Sequence, residues 1–182
     1  MTFYYRHMPH WQPDGRDLFL TWRLHNSLPE NFRPPNDMET NGKVFVAYDR
    51  VWDRAQTGPR WLKDPRIAEC VLNALQSAQQ NKMLTLRSYV LMTNHVHVLI
   101  APQAPLAKIT HQIKGSTARE ANLILGRTGS RFWQDESYDH WVRDPAEFER
   151  IRRYIERNPV VAGLVKKPED WPWSSARSRT GF

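Results

Sequence analysis

The chain has 182 residues, enough for one domain with a substantial core, and its composition (40% hydrophobic, 25% charged) excludes a disordered or fibrous polymer. A formal charge of +7 favours a polyanionic partner, while the single cysteine, Cys70, rules out an intrachain disulfide and a thiolate zinc cluster. No stretch approaches the roughly 18 uninterrupted apolar residues that a membrane-spanning helix needs, so no membrane partner is expected.

The charge is spread along the chain, with 12 basic side chains in residues 1–100 and 14 in the remainder, which points to basic groups displayed on a fold. Residues 1–10 lack the apolar run of a signal peptide, and a cytoplasmic, nucleoid-associated protein is the expectation. The eight tryptophans suit a core, or flat surfaces on which nucleobases stack. We read residues 1–182 as a single domain, with an N-terminal arm over 1–16 and a basic C-terminal tail over 166–182.

After the arm, Leu18 to His25 alternates Leu18, Leu20, Trp22 and Leu24 on one face, a half-buried strand. Residues 26–42 hold three prolines and read as a loop. Lys43 to Ala55 suits a strand by Val44, Val46 and Tyr48, or a helix by Val51, Trp52 and Ala55. Asp64-Pro65 is a helix start, an N-cap carboxylate followed by proline in the first turn, and the apolar stripe Ile67, Val71, Leu72, Leu75 and Ala78 carries the helix to about Asn81. Leu84–Met92 and His95–Ala101 read as strands joined by a short turn at Thr93-Asn94. A second helix covers Leu106 to Leu125, with a disturbance expected at Gly115-Ser116 and Gly126 as its C-cap. Gly129 to Asp139 shows no period and reads as a connection. Asp144-Pro145 opens a third helix, which Asn158-Pro159 stops, because a residue before proline avoids helical geometry. The order of elements predicts an α+β fold, an antiparallel β-sheet flanked by α-helices.

Within the second hairpin strand, His95 and His97 stand two apart and project from one face, while Val96, Val98 and Ile100 point the other way into a core. Two neutral imidazoles on a rigid strand form half of a divalent-metal site. A hard ion such as Mg²⁺ then needs a further ligand and a substrate phosphate. The same pair also reads as two strand histidines facing solvent or bonded to neighbours. His111 and His140 read as structural or surface residues.

On the third helix, at about 100° per residue, Phe148, Ile151 and Ile155 define a buried stripe, and Tyr154 and Asn158 sit together on its flank. Such an edge can present a phenol to a site between helix and sheet, or hold an amphipathic tyrosine at a core boundary. Asn158 also suits a helix cap. Arg150, Arg152, Arg153 and Arg157 are interleaved with Glu147, Glu149 and Glu156, a pattern of solvated ion pairs from which some arginines can hold a phosphate backbone.

Four segments taken together, YVLMTNHVHVLI (Tyr89–Ile100), FWQDESYDHWVRD (Phe132–Asp144), RYIERNPVVAGLV (Arg153–Val165) and WPWSSA (Trp171–Ala176), resemble the REP-associated tyrosine transposases, in the superfamily of HUH (histidine, hydrophobic, histidine) single-strand nucleases. The resemblance covers roughly residues 60–176, and its one small departure is Thr93, where relatives often carry proline. It implies a ferredoxin- or RRM-like sandwich and a divalent ion, Mg²⁺ or Mn²⁺, held by His95 and His97 with Asn158 as third ligand. It also implies Tyr154 as the nucleophile, acting on single-stranded DNA near short REP-type hairpins through a 5′-phosphotyrosine intermediate. Lys108, Lys114 and Arg119 on the second helix, and Arg150, Arg153 and Arg157 on the third, are the candidate DNA contacts. A monomer is expected ahead of a homodimer. Two rival readings are a catalytically silent nucleic-acid-binding regulator of the same fold and a metal-dependent hydrolase that uses water as its nucleophile.

Overall fold

The computed structural model describes residues 2–5, 9–12, 15–28, 49, 51, 58–135 and 137–177. Within the arm, β1 (Thr2–Tyr5) and β2 (Pro9–Gln12) pair antiparallel, so this segment carries a hairpin of its own. The main sheet is built from β3 (Leu18–Arg23), β4 (Leu84–Leu91), β5 (His95–Pro102) and β6 (Tyr138–Trp141), in the order β4-β5-β3-β6 with every pair antiparallel. Among the described residues three long helices flank it: α1 (Pro65–Gln80), α2 (Leu106–Ile124) and α3 (Pro145–Val161). The α+β architecture read from the sequence is the architecture observed.

The capping signals act as expected. Asp64 accepts a hydrogen bond from the backbone N–H of Arg66 at 3.0 Å, and Asp144 accepts one from Glu147 N–H at 2.7 Å, so each aspartate satisfies an orphan donor of a helix whose first residue is proline. Gly126, at φ +65°, follows the end of α2 as a glycine cap. No disturbance occurs at Gly115-Ser116. The Ser116 and Thr117 hydroxyls donate to the carbonyls of Gln112 and Ile113, four residues back on the same helix, at 2.8 and 2.6 Å.

Strand β3 differs from the half-buried strand expected. Leu18 through Trp22 are all buried, because both faces of the sheet are covered. Leu18, Leu20 and Trp22 join Val96, Val98 and Ile100 beneath α1 and α2. On the reverse face Phe19, Val90, Met92 and Leu99 pack with Val142 and Ile155, the latter contributed by α3. Each fully buried leucine or valine here contributes about 1.5–3 kcal/mol.

Two further expectations are corrected. The segment Gly129–Asp139 runs into a strand, β6, whose residues Tyr138–Trp141 are all partly exposed at the sheet edge. Helix α3 continues through Asn158-Pro159 to Val161: Ala162 N–H and Leu164 N–H reach back to the carbonyls of Asn158 and Pro159, and the turn at Gly163 (φ +71°) ends it. The restriction that proline places on its predecessor is overridden because Ile155, Asn158 and Pro159 are buried together against the sheet.

The segment Trp171–Ala176 belongs to the fold as well. Leu91 N–H donates to Trp173 O, Trp171 Nε1–H donates to Leu91 O, and Ser175 N–H donates to Tyr89 O, so this stretch covers the outer edge of β4. Residues 178–182 of the expected tail lie outside the described residues, as do most of the loop read over 26–42 and of Lys43–Ala55. Asp49 and Val51 are described, both in helical conformation. Gly58, at φ +89°, passes so close to the Asn26 carbonyl that a Cβ there would lie 2.7 Å from its oxygen.

Candidate metal centre

Strand β5 is central, and its register sets His95 opposite Arg23 and His97 opposite Thr21 of β3. Both imidazoles are fully buried between the sheet and α3, so the solvent-facing alternative does not hold. Each ring is held at Nδ1: His95 by the Asn94 side-chain oxygen at 2.7 Å, His97 by Thr21 Oγ1 at 2.7 Å. An amide oxygen only accepts, so His95 carries its proton on Nδ1 and presents a lone pair at Nε2. Asn158 Nδ2–H donates to His97 Nε2 at 3.2 Å, which makes that nitrogen an acceptor too and puts the His97 proton on Nδ1 toward Thr21. The two Nε2 atoms converge to 3.0 Å.

A third group meets them there. Asp49 Oδ1 lies 3.0 Å from His97 Nε2 and 3.3 Å from His95 Nε2, and accepts no hydrogen bond of its own. Two imidazole lone pairs and one carboxylate oxygen therefore face one another in a buried space, an arrangement that a cation between them would relieve. These three atoms lie within 4.8 Å of one another, and among the described residues Asp49, His95 and His97 form the group able to hold a metal ion. The donor set fits a divalent ion.

Helix α3 closes the space. Tyr154 donates its hydroxyl to Asp49 Oδ2, and its ring stands 5.8 Å from His97 and 6.2 Å, edge-on, from Phe19. Asn158, one turn on, donates Nδ2–H to Asp49 Oδ2 at 3.0 Å and leaves its own Oδ1 buried without a hydrogen-bond partner. Its side chain thus faces Asp49 and His97 from within the helix, whose C-cap is Ala162. The second tyrosine near this face, Tyr138, packs edge-on against Phe19, and burial first, then Asp139 and Glu147, push its pKa up to about 12. Tyr138 stays protonated at neutral pH.

The structure thus brings together His95, His97, Tyr154 and Asn158, and adds Asp49, which the sequence alone did not single out. No local spacing ties Asp49 to the histidines; it stands in the segment whose periodicity was ambiguous. The candidate cations divide into two groups. Arg150, Arg153 and Arg157 are exposed on α3, the helix of Tyr154. Lys108, Lys114 and Arg119 belong to α2, on the opposite face of the sheet, and Lys114 donates to Gln134 O and Asp135 O at 2.7 and 3.0 Å, fastening the loop that leads into β6. Arg152 is paired with Glu149 and Glu156 at 2.8 and 2.6 Å, the ion-pair pattern expected of this helix.

Residues 48–158, more than half of the chain, match the family model described as "Transposase IS200 like", and the matched span contains all five residues of the centre. A REP-associated tyrosine transposase of Escherichia coli (strain K12) is 23% identical over 106 residues, which cover 57% of this chain and 61% of the relative, so the match spans less than two thirds of that protein's length. The fold is similar to that of a REP-associated tyrosine transposase solved bound to a REP hairpin, with a TM-score of 0.60 at 18% identity over 100% of this chain and 87% of that one. Among the described residues no helix is long and apolar enough to cross a membrane.

Proposed function

Because the chain belongs to the IS200-like transposase family, we propose that it nicks and rejoins single-stranded DNA near hairpins, with Tyr154 as nucleophile. The observation that carries this reading is the convergence of the Tyr154 hydroxyl on the buried histidine centre. In the proposed step the phenol oxygen bonds to the scissile phosphorus while the bond from phosphorus to the 3′ oxygen breaks. The phenol gives up its proton, the departing 3′ oxygen takes one up, and a 5′-phosphotyrosine remains. Attack by a 3′-hydroxyl reverses the step and joins strands without ATP, because the covalent link conserves the phosphodiester.

His95 and His97 would hold a divalent ion, Mg²⁺ or Mn²⁺, whose chemistry there is to polarise the phosphate oxygens and offset charge developing in the transition state. Asn158 serves as the amide ligand of this reading: its Oδ1 is a hard donor, buried beside the centre without a hydrogen-bond partner. Thr21 and Asn94 keep the two imidazoles aimed. Arg150, Arg153 and Arg157, exposed on the same helix as the nucleophile, are the proposed phosphate contacts.

The test is incubation with end-labelled hairpin DNA and Mn²⁺, followed by denaturing electrophoresis. A covalent protein–DNA band is expected, absent with Tyr154→Phe while DNA binding persists. Cleavage that survives Tyr154→Phe would mean a water nucleophile. Binding with neither cleavage nor adduct in the unaltered protein would leave the silent regulator as the reading to keep.

A further inference from the structure

Two imidazoles and an amide bring no charge to a divalent ion, and a hard ion prefers charged oxygen. Asp49 has what that set lacks. Its carboxylate stands between the histidines and the tyrosine with its two oxygens aimed at different partners: Oδ1 toward His97 Nε2 and His95 Nε2 at 3.0 and 3.3 Å, Oδ2 toward the Tyr154 hydroxyl and, at 3.0 Å, Asn158 Nδ2. Only 3% of the residue is exposed, so water cannot replace either set of contacts.

We propose that Asp49 couples the metal to the nucleophile, with Oδ1 as a ligand of the ion and Oδ2 as the acceptor that holds the Tyr154 hydroxyl beside it. This rests on the reading of Tyr154 as nucleophile. Asp49 is then both a ligand and a positioning residue: it lets the centre load a metal before any DNA phosphate arrives, and it fixes the phenol at a set distance from that metal. Buried ligand atoms that already converge have no reorganisation to undergo when the ion binds.

The experiment uses the full chain without DNA. Mn²⁺ affinity is read from the loss of the free-ion electron paramagnetic resonance signal. The environment of Tyr154 is read by ¹⁹F resonance of 3-fluorotyrosine-labelled protein titrated with Mg²⁺, the peak being assigned by its absence in Tyr154→Phe. In the unaltered protein the Tyr154 resonance should move in step with occupancy. Asp49→Asn, which keeps the shape and removes the charge, should weaken Mn²⁺ binding by about tenfold or more, a loss no smaller than those seen for groups that only orient ligands. It should also leave the Tyr154 resonance insensitive to Mg²⁺ once the site is refilled at higher concentration. Tyr154→Phe should bind Mn²⁺ as the unaltered protein does. Asp49→Ser, checked by circular dichroism, supplies the same comparison should the asparagine variant misfold. Unchanged Mn²⁺ affinity in a folded Asp49 variant overturns the proposal while leaving the Tyr154 adduct reading intact. Absence of Mn²⁺ binding by the unaltered protein, in the presence of an adduct with DNA, overturns it as well. Loss of the adduct itself would instead strike the reading beneath it.

Discussion

Thr21 and His97 are partners across the two central strands, and their side chains meet, with Thr21 Oγ1 2.7 Å from His97 Nδ1. The hydroxyl fixes both the ring's orientation and, by accepting the Nδ1 proton, the lone pair that Nε2 turns toward Asp49 and His95. Thr21→Val keeps the shape and removes the hydroxyl from a residue only 1% exposed. We expect roughly 10–100-fold weaker Mn²⁺ binding and a loss of about 1–3 kcal/mol in stability from the buried nitrogen left facing a methyl group. Isothermal titration and urea unfolding check the two effects, and unchanged metal affinity would show that Thr21 only fills space.

The position of Tyr154 depends on how α3 is fastened at its start. Glu147 accepts from the Arg143 backbone N–H at 2.7 Å and from its guanidinium, and meets His140 Nε2 of β6 at 3.2 Å. The Arg143 guanidinium foremost, opposed by burial and aided by the backbone donor and His140, lowers the Glu147 pKa from 4.5 to about 2. A lowered folded pKa means that the stabilisation is fully present above the unfolded value of 4.5 and is lost as pH falls toward about 2. Glu147→Gln should therefore melt below the unaltered protein at pH 7, with the gap closing between pH 4.5 and 2. A gap that stays constant across that range in thermal melts would mean that the carboxylate's charge plays no part.

Elements with a full hydrophobic period were legible in the sequence alone: α1, α2 and the β4–β5 hairpin lie where their stripes and caps put them. Strand β6 was not, because four partly exposed residues, Tyr-Asp-His-Trp, have no one-sided alternation to show. The end of α3 was misplaced for a different reason: the bias before Pro159 is local, and the burial that overrides it is tertiary. His95 and His97 could be paired from strand periodicity, and Tyr154 with Asn158 from helical periodicity, since each pair lies within one element. Asp49 joins them only through the packing of a distant segment, and a relationship of that kind leaves no spacing to read.

The α3 arginines predict a salt dependence. Arg150, Arg153 and Arg157 are exposed and share the helix of Tyr154, whereas Lys108 and Arg119 stand on α2 across the sheet. If the α3 group holds the single strand, replacing each of its arginines by alanine should flatten the plot of log K against log salt by about 0.7 for each phosphate that is no longer neutralised. Lys108→Ala and Arg119→Ala should change the slope less. Fluorescence anisotropy of a labelled single strand, titrated at several salt concentrations, measures both. The reverse pattern, with the α2 variants flattening the plot, would move the strand to the other face of the sheet.

The path of α3 decides which chain supplies the nucleophile. Tyr154 reaches the Asp49 of its own chain, and the path that brings it there is short: β6 ends at Trp141, α3 begins at Pro145, and only Val142, Arg143 and Asp144 intervene. Three extended residues span about 10 Å. The connection is pinned at both ends, by Val142 N–H donating to Asp17 O at 2.8 Å and by Arg143 holding Glu147 at 2.5 Å. A helix carried over to a second molecule would have to break these contacts and withdraw Ile155 from the core it shares with Phe19 and Leu99. The centre should therefore be complete within one chain. Mixing Tyr154→Phe protein with a His95→Ala, His97→Ala double variant, after co-refolding to allow subunits to exchange, should restore no covalent adduct, since each chain lacks one half of its own site. Activity recovered in the mixture, in proportion to the mixed species, would show that the tyrosine serves a partner's histidines, and the arrangement within one chain would have to be abandoned.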